Sequence, residues 1–220
     1  MQKRTDKAAR RGEAGFSLIE LMVALGVTLV IMALASRMLS ASMAVRQREN
    51  QRVEAVADTQ RALQAMTREI SNAGLGLENN GLVNGDSGAL AVRVRTNLNA
   101  FCDYTAACDA DTDDPGEDIV FAVINNTTGG GGDNQRLITR QDRNSGNSIS
   151  ALANRVDDLV FTYVKADGTT TATPSEAQAV RITVEVTLPA VGTEGQAGYQ
   201  PASRMQLRSE AVLRNLILNQ

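Results

Sequence analysis

The chain has 220 residues, with 22 Lys and Arg against 25 Asp and Glu, for a formal net charge of −3. It contains no histidine and no tryptophan, which excludes Ser-His-Asp and Cys-His catalysis and His-ligated zinc, and leaves little for stacking on bases. The commonest general base of enzymes is missing, and so is the basic surface that replaces phosphate counterions on nucleic acid.

Residues 1–15 form a basic leader. Lys3, Arg4, Lys7, Arg10 and Arg11 outnumber Asp6 and Glu13, so the leader carries +3 and the remainder of the chain −6. An apolar run follows from Phe16 to Ser36, with Glu20 its only charge. A membrane-spanning helix needs roughly 20 mostly apolar residues, and this run supplies them. A carboxylate at the bilayer centre costs on the order of 3 kcal/mol, so an acid in such a run calls for a functional reason.

The stretch Gly15-Phe16-Ser17-Leu18-Ile19-Glu20-Leu21-Met22-Val23-Ala24-Leu25-Gly26 resembles the N-terminal motif of type IV pilins and their pseudopilin relatives. The shared elements are a basic leader ending in Gly, then Phe, an apolar run, and Glu as the fifth residue after the junction. The resemblance implies that a prepilin peptidase cuts between Gly15 and Phe16 and N-methylates Phe16. It also implies that Glu20 neutralises the α-amine of a neighbouring subunit when the helices pack into a filament. Electrostatics is compatible with that role: opposite charges ~4 Å apart attract by about 4 kcal/mol at an effective dielectric near 20, comparable with the cost of burial. First-turn placement adds a few tenths to ~1 kcal/mol from the helix dipole. The bland alternative is a signal anchor whose Glu20 sits at the headgroup level.

An ordinary secretory signal is cut after its apolar run; here the candidate junction precedes it, so the run stays in the mature chain. The leader cations favour a cytoplasmic N-terminus, although Arg37, Arg46, Arg48 and Arg52 lie just beyond the other end. The remainder would then face the periplasm.

The helix is expected to continue past the membrane. No proline occurs before Pro115, and Gly26 is the only glycine between Gly15 and Gly74. Val53, Val56, Leu63, Met66 and Ile70 recur at three- and four-residue spacings, with Arg61, Gln64, Arg68 and Glu69 on other faces. The expectation is one helix over residues 16–72, ended by a glycine cap in Ala73-Gly74-Leu75-Gly76. The polar patch Arg46-Gln47-Arg48-Glu49-Asn50-Gln51-Arg52 reads as an exposed neck. Major pilins often carry a proline near the membrane exit; this chain has Arg37 and Met38 there instead.

Beyond Leu77 the apolar period changes from helical to alternating. Strands are expected over residues 89–96, 118–124, 135–140, 156–164, 180–188 and 204–214, with Leu90, Val92 and Val94 on one face of the first. Val180, Ile182, Val184, Val186 and Leu188 alternate most cleanly with polar neighbours, the mark of a half-buried strand. Turn-rich segments separate the strands, and some 145 residues after Gly74 suffice for a real core. The order of these segments, closing with Ser-Glu-Ala-Val-Leu-Arg-Asn, resembles the minor pilins named PilW and more loosely the GspJ-type pseudopilins of type II secretion. The helix-end sequence from Met66 to Gly74 fits the same pattern.

Several constellations in the head could carry chemistry. Cys102 and Cys108, the only cysteines, read as a local disulfide in an oxidising periplasm. A redox or metal pair would want Cys-x-x-Cys spacing or a histidine partner. Asp109, Asp111 and Asp113 match the first, third and fifth positions of an EF-hand loop, but Asp114 stands where glycine is required and Val120 where the bidentate Glu belongs. An irregular calcium site and a solvated acidic loop remain the two readings. Gly129-Gly130-Gly131-Gly132 lacks the following Lys-Ser or Lys-Thr of a phosphate loop and reads as a hairpin tip. Asp157-Asp158 shows no sign of a cleft.

The expected fold is α+β: a long N-terminal helix, membrane-spanning in its first half, packed on an antiparallel β-sheet head. The expected divisions are a removed leader 1–15, a transmembrane or filament-core half 16–36, a periplasmic half 37–74 and a β-rich head 75–220. The expected function is a non-catalytic minor pilin of a type IV pilus, built into the filament or its initiation or tip complex. The alternatives are a GspJ-like pseudopilin and a membrane-tethered periplasmic binding module. The implied partners are prepilin peptidase, other pilins and the inner membrane, with no nucleic acid and no cofactor other than the calcium considered above.

Overall fold

The computed structural model describes residues 15–99, 111–125, 136–146 and 148–215. The leader to residue 14, Cys102, Cys108, Asp109, the four-glycine run 129–132 and the apolar Leu216-Ile217-Leu218 lie outside the described residues.

A single helix, α1 (Leu18–Ser71), runs for 54 residues, about 81 Å at 1.5 Å per residue. Nothing in its interior breaks it: Gly26 is its only glycine and it has no proline. Ser17 precedes it in an extended conformation, and Arg68 lies in the last turn, where a cation suits the negative end of the helix dipole.

The helix does not end on a glycine cap. Its cap is Asn72 in a right-handed conformation, and the Asn215 side-chain amide donates to the Asn72 and Ala73 carbonyls, each at 3.0 Å. Gly74 does adopt a left-handed φ of 76°, but its amide donates to Arg95 O. A Cβ on Gly81 would collide with the Gly74 amide and the Arg95 carbonyl. These two glycines permit a close crossing of backbones, which is a different use from capping.

The head contains eight strands among the described residues: β1 (Ala91–Arg95), β2 (Asp118–Asn125), β3 (Arg136–Asp142), β4 (Ser148–Val156), β5 (Asp158–Val164), β6 (Thr170–Thr171), β7 (Ala179–Leu188) and β8 (Ser203–Val212). They form two four-stranded sheets, β1-β2-β3-β4 and β6-β5-β7-β8, with every pair antiparallel. The fold is therefore α+β, with α1 packed against β4, β7 and β8.

Two strands were expected differently. β4 was not anticipated, because Ser148-Ile149-Ser150-Ala151-Leu152-Ala153-Asn154 is poor in β-branched and aromatic residues. The continuous strand expected over 156–164 is instead broken at Asp157. Val156 pairs with Arg136 in the first sheet, whereas Asp158 pairs with Glu185 in the second. Val156 and Leu159 are both buried, three residues apart, so the side-chain alternation slips at the bend and the chain changes sheet. The Asp157 amide donates to Glu185 O at 2.8 Å and holds the corner.

The core lies between the helix and both sheets. Met66, Ile70, Phe121, Ile138, Leu159 and Ile182 are fully buried, each worth roughly 1.5–3 kcal/mol of transfer free energy. The stripe of α1 that faces the head runs through Arg48, Thr59, Ala62, Leu63, Met66 and Ile70, with Ala55 partly buried beside it. Val53, expected on that stripe, is 65% exposed. Small and polar residues occupy the upper part of the true stripe, so hydropathy placed the face wrongly there. Leu90 is likewise exposed, just ahead of β1.

Candidate functional site

At the N-terminal end, Gly15, Phe16 and Ser17 form an extended lead into α1, and Phe16 is 83% exposed. Every residue from 15 to 36 is exposed, and this part of α1 is long and apolar enough to cross a membrane. Glu20 lies in the first turn. Ser17 and Glu20 have the spacing of a capping box, yet the Ser17 side chain makes no cap hydrogen bond. Among the described residues Glu20 has no ion pair and no side-chain hydrogen bond. Its carboxylate projects from a bare apolar rod, open to a group from another molecule.

The neck is not the exposed patch that its composition implies. Arg48 is buried, 9% exposed. Its guanidinium donates to Pro189 O, to Pro201 O at 2.7 Å and to Ser203 Oγ at 2.8 Å. These acceptors flank the loop between β7 and β8, which also brings Gly198 against Ala41: a Cβ there would lie 2.5 Å from the Ala41 Cα. The loop thus clasps α1 just beyond the apolar run. Stepping back along the buried stripe from Ile70 by threes and fours arrives at Arg48, the one signal in the sequence that would have found it.

Lower down, the Glu69 carboxylate accepts from Arg140 Nε at 2.9 and 3.0 Å, tying α1 to β3, and the Thr67 and Ser209 hydroxyls meet at 2.8 Å. Glu69 therefore faces the head, not solvent. In the first sheet, Asp118 is buried and accepts two hydrogen bonds from Arg93, one from Nε at 2.7 Å, and a further one from Arg95 Nε at 3.2 Å. Burial pushes its carboxyl up, but the hydrogen bonds and charges of the two arginines outweigh burial and leave it below the ordinary carboxylate value.

The described half of the acidic run is a loop whose carboxylates accept from backbone and amide groups. Asp111 accepts from the Asp113 amide at 3.1 Å, and Asp114 from Asn99 Nδ2 at 2.7 Å. Glu117, buried, accepts from the Leu98 and Asp114 amides. Among the described residues no three Cys, Asp or Glu converge on a common point for a metal. The calcium reading depends on Asp109 with Asp111 and Asp113, and Asp109 lies outside them. Asp158 pairs with Arg136 at 3.1 Å, while Asp157 is exposed at the sheet-changing bend; the two have structural roles.

Fold and site together define a class of protein: a β-rich head carried on a helix whose first half is bare, apolar and marked by one acid. Residues 10–36 match the prokaryotic N-terminal methylation motif, a segment that contains Gly15, Phe16 and Glu20 and ends where the apolar run ends. The chain thus carries the methylation motif of prepilin-type proteins, which implies processing by a prepilin peptidase and assembly with other pilin-like subunits. Comparison with curated proteins and with solved structures returned no match.

Proposed function

We propose that this chain is a structural, non-catalytic minor pilin of a type IV pilus. It is made as a single-pass inner-membrane precursor with a cytoplasmic N-terminus and a periplasmic head at residues 75–220. Prepilin peptidase cuts between Gly15 and Phe16 and methylates Phe16. Residues 16–36 then pack among like helices, and residues 37–74 carry the head. Close packing in lipid or in a filament core depends on dispersion and on the few polar contacts available. Here the polar contact is Glu20 with the methylated amine of a neighbouring Phe16.

The observation that carries the reading is the coincidence of the methylation motif over residues 10–36 with an exposed helix start whose Glu20 has no ion pair among the described residues. The narrower assignment, a PilW-like subunit of the filament or of its initiation or tip complex, is supported by the order of head segments in the sequence. In the same reading Cys102 and Cys108 close a local disulfide in the oxidising periplasm. Mass spectrometry of the protein purified from its native membrane tests the proposal. N-methylated Phe16 is expected at the mature terminus; an intact Met1 would overturn the filament role and leave a tethered periplasmic module.

A further inference from the structure

Where α1 passes β8, a groove of about 610 Å³ opens along the side of the molecule. We propose that this groove takes an extended acidic segment of another polypeptide, added as a strand to the free edge of β8. The inference concerns the head alone and stands apart from processing at Gly15.

Backbone geometry supplies the first argument. β8 is the outer strand of its sheet and pairs with β7 along its full length, from Ser203–Leu188 to Val212–Ala179. In an antiparallel pair, alternate residues turn their N–H and C=O groups away from the partner. Among the described residues, no backbone hydrogen bond other than those to β7 is made by residues 203–212. The outer edge of β8 is therefore a template for one more strand.

The side chains beside that edge supply the second argument. Leu63 and Leu207 give the groove an apolar floor, and Arg68 and Arg214 line it with no carboxylate among the lining residues. Arg208, between the inward-facing Leu207 and Ser209, turns its side chain to the outer face of the same edge strand. All three arginines are exposed, and none has an ion pair among the described residues. The acids within two residues of the lining in sequence are already engaged: Asp58 with Arg61, Glu69 with Arg140 and Glu210 with Arg181. Outside its leader the chain carries −6, so a groove lined by Arg68 and Arg214 with no acid, and flanked by Arg208 on the outer face of β8, is an exception to the charge of the whole. Guanidinium groups grip carboxylates through paired, charge-assisted hydrogen bonds.

Length supplies the third. The helix wall from Gln60 to Asn72 runs for about 18 Å, room for roughly five residues of extended chain. The occupant is thus a short acidic strand, with carboxylates placed to meet Arg68 and Arg214 at the groove and Arg208 on the outer face, and small apolar residues against Leu63 and Leu207.

Charged side chains on an edge strand also serve to repel unwanted pairing, and one experiment separates the two roles. Labelled Glu-Val-Glu-Val-Glu-Val-Glu and its Lys-Val counterpart are titrated against the full-length protein in uncharged detergent micelles, followed by fluorescence anisotropy at low and high salt. The acidic peptide is expected to bind, more weakly at high salt, and the lysine peptide not to bind. The double variant Arg68→Glu, Arg208→Glu is expected to lose affinity by about tenfold or more. Both side chains are exposed, and circular dichroism confirms that the variant folds. Hydrogen exchange in the presence of the acidic peptide is expected to slow at β8 amides and to be unchanged at β1. Absence of binding, equal binding of the two peptides, full affinity in the double variant or no slowing in β8 would each overturn the proposal.

Discussion

Residues 18–36 and the stripe from Thr59 to Ile70 belong to one unbroken helix, yet their surroundings are opposite. The first is apolar but for Glu20 and is left exposed by all the other described residues. The second buries one face against two sheets and turns Gln60, Arg61, Gln64 and Arg68 outward. Both halves obey the same hydrogen-bonding rules, so helix formation does not distinguish them; the solvent each was composed for does. A rod that is apolar all round is built for lipid or for other rods, whereas an amphipathic one is built for its own head. The clasp at Arg48 marks the boundary, twelve residues beyond Ser36.

That contrast predicts which changes disturb assembly and which disturb folding. The largest effect is expected for Glu20→Ala, which abolishes incorporation into filaments while leaving the melting temperature of the protein in detergent micelles unchanged. Immunoblots of sheared filaments and a circular dichroism melt read the two quantities; wild-type incorporation would erase the functional difference between the halves. Met66→Ala reverses the pattern. It opens a cavity under a fully buried side chain and is expected to cost about 2–5 kcal/mol in denaturant unfolding, in the manner of other large-to-small core changes.

Arg48→Ala comes next. It strips the Pro189 and Pro201 carbonyls of their donor, at a cost of about 1–3 kcal/mol, and should speed hydrogen exchange in α1 between Ala41 and Arg48. Arg48→Lys should recover only part of the loss, because a single ammonium lacks the fork that spans two carbonyls and a hydroxyl.

A smaller effect is expected from acid. The Asp118 carboxyl lies below its ordinary value in the folded state, so the stability it contributes is complete above the unfolded pKa and is lost as pH falls through the lower folded one. Asp118→Asn should therefore flatten the acid limb of the stability curve below about pH 4 and lower stability at neutral pH. The smallest effect is expected from calcium. With Asp111, Asp114 and Glu117 already accepting from amide groups, excess calcium should leave the melting temperature unchanged; a clear rise would establish a binding site in the acidic loop.

Much of this arrangement was readable before any coordinates. The apolar run with its single acid, the absence of helix breakers and the alternation from Val180 to Leu188 each reflect a local rule, and local rules act on neighbours in sequence. The start of the candidate site was legible for the same reason: Gly15, Phe16 and Glu20 are within six residues of one another. Legibility failed where the partner is distant. The spacing of apolar residues puts Val53 on the buried stripe, but the stripe that packs runs through Ala55 and Thr59, because the face is chosen by where β4, β7 and β8 lie. Asn72 replaced a glycine cap because Asn215, far along the chain, supplies the donor.

The sequence alone determined that a long helix opens this protein, that its first half is apolar with one carboxylate, and that a β-rich unit follows. Periodicity and the exclusion of charge from lipid are properties of consecutive residues, so no fold is needed to read them. Only the tertiary structure decided that the head is two sheets joined at Asp157, that Arg48 is a buried clasp, and that β8 is the outer strand of its sheet among the described residues. Each of these joins residues widely separated along the chain, and such contacts exist only once the entropy of closing the intervening loops has been overcome by packing.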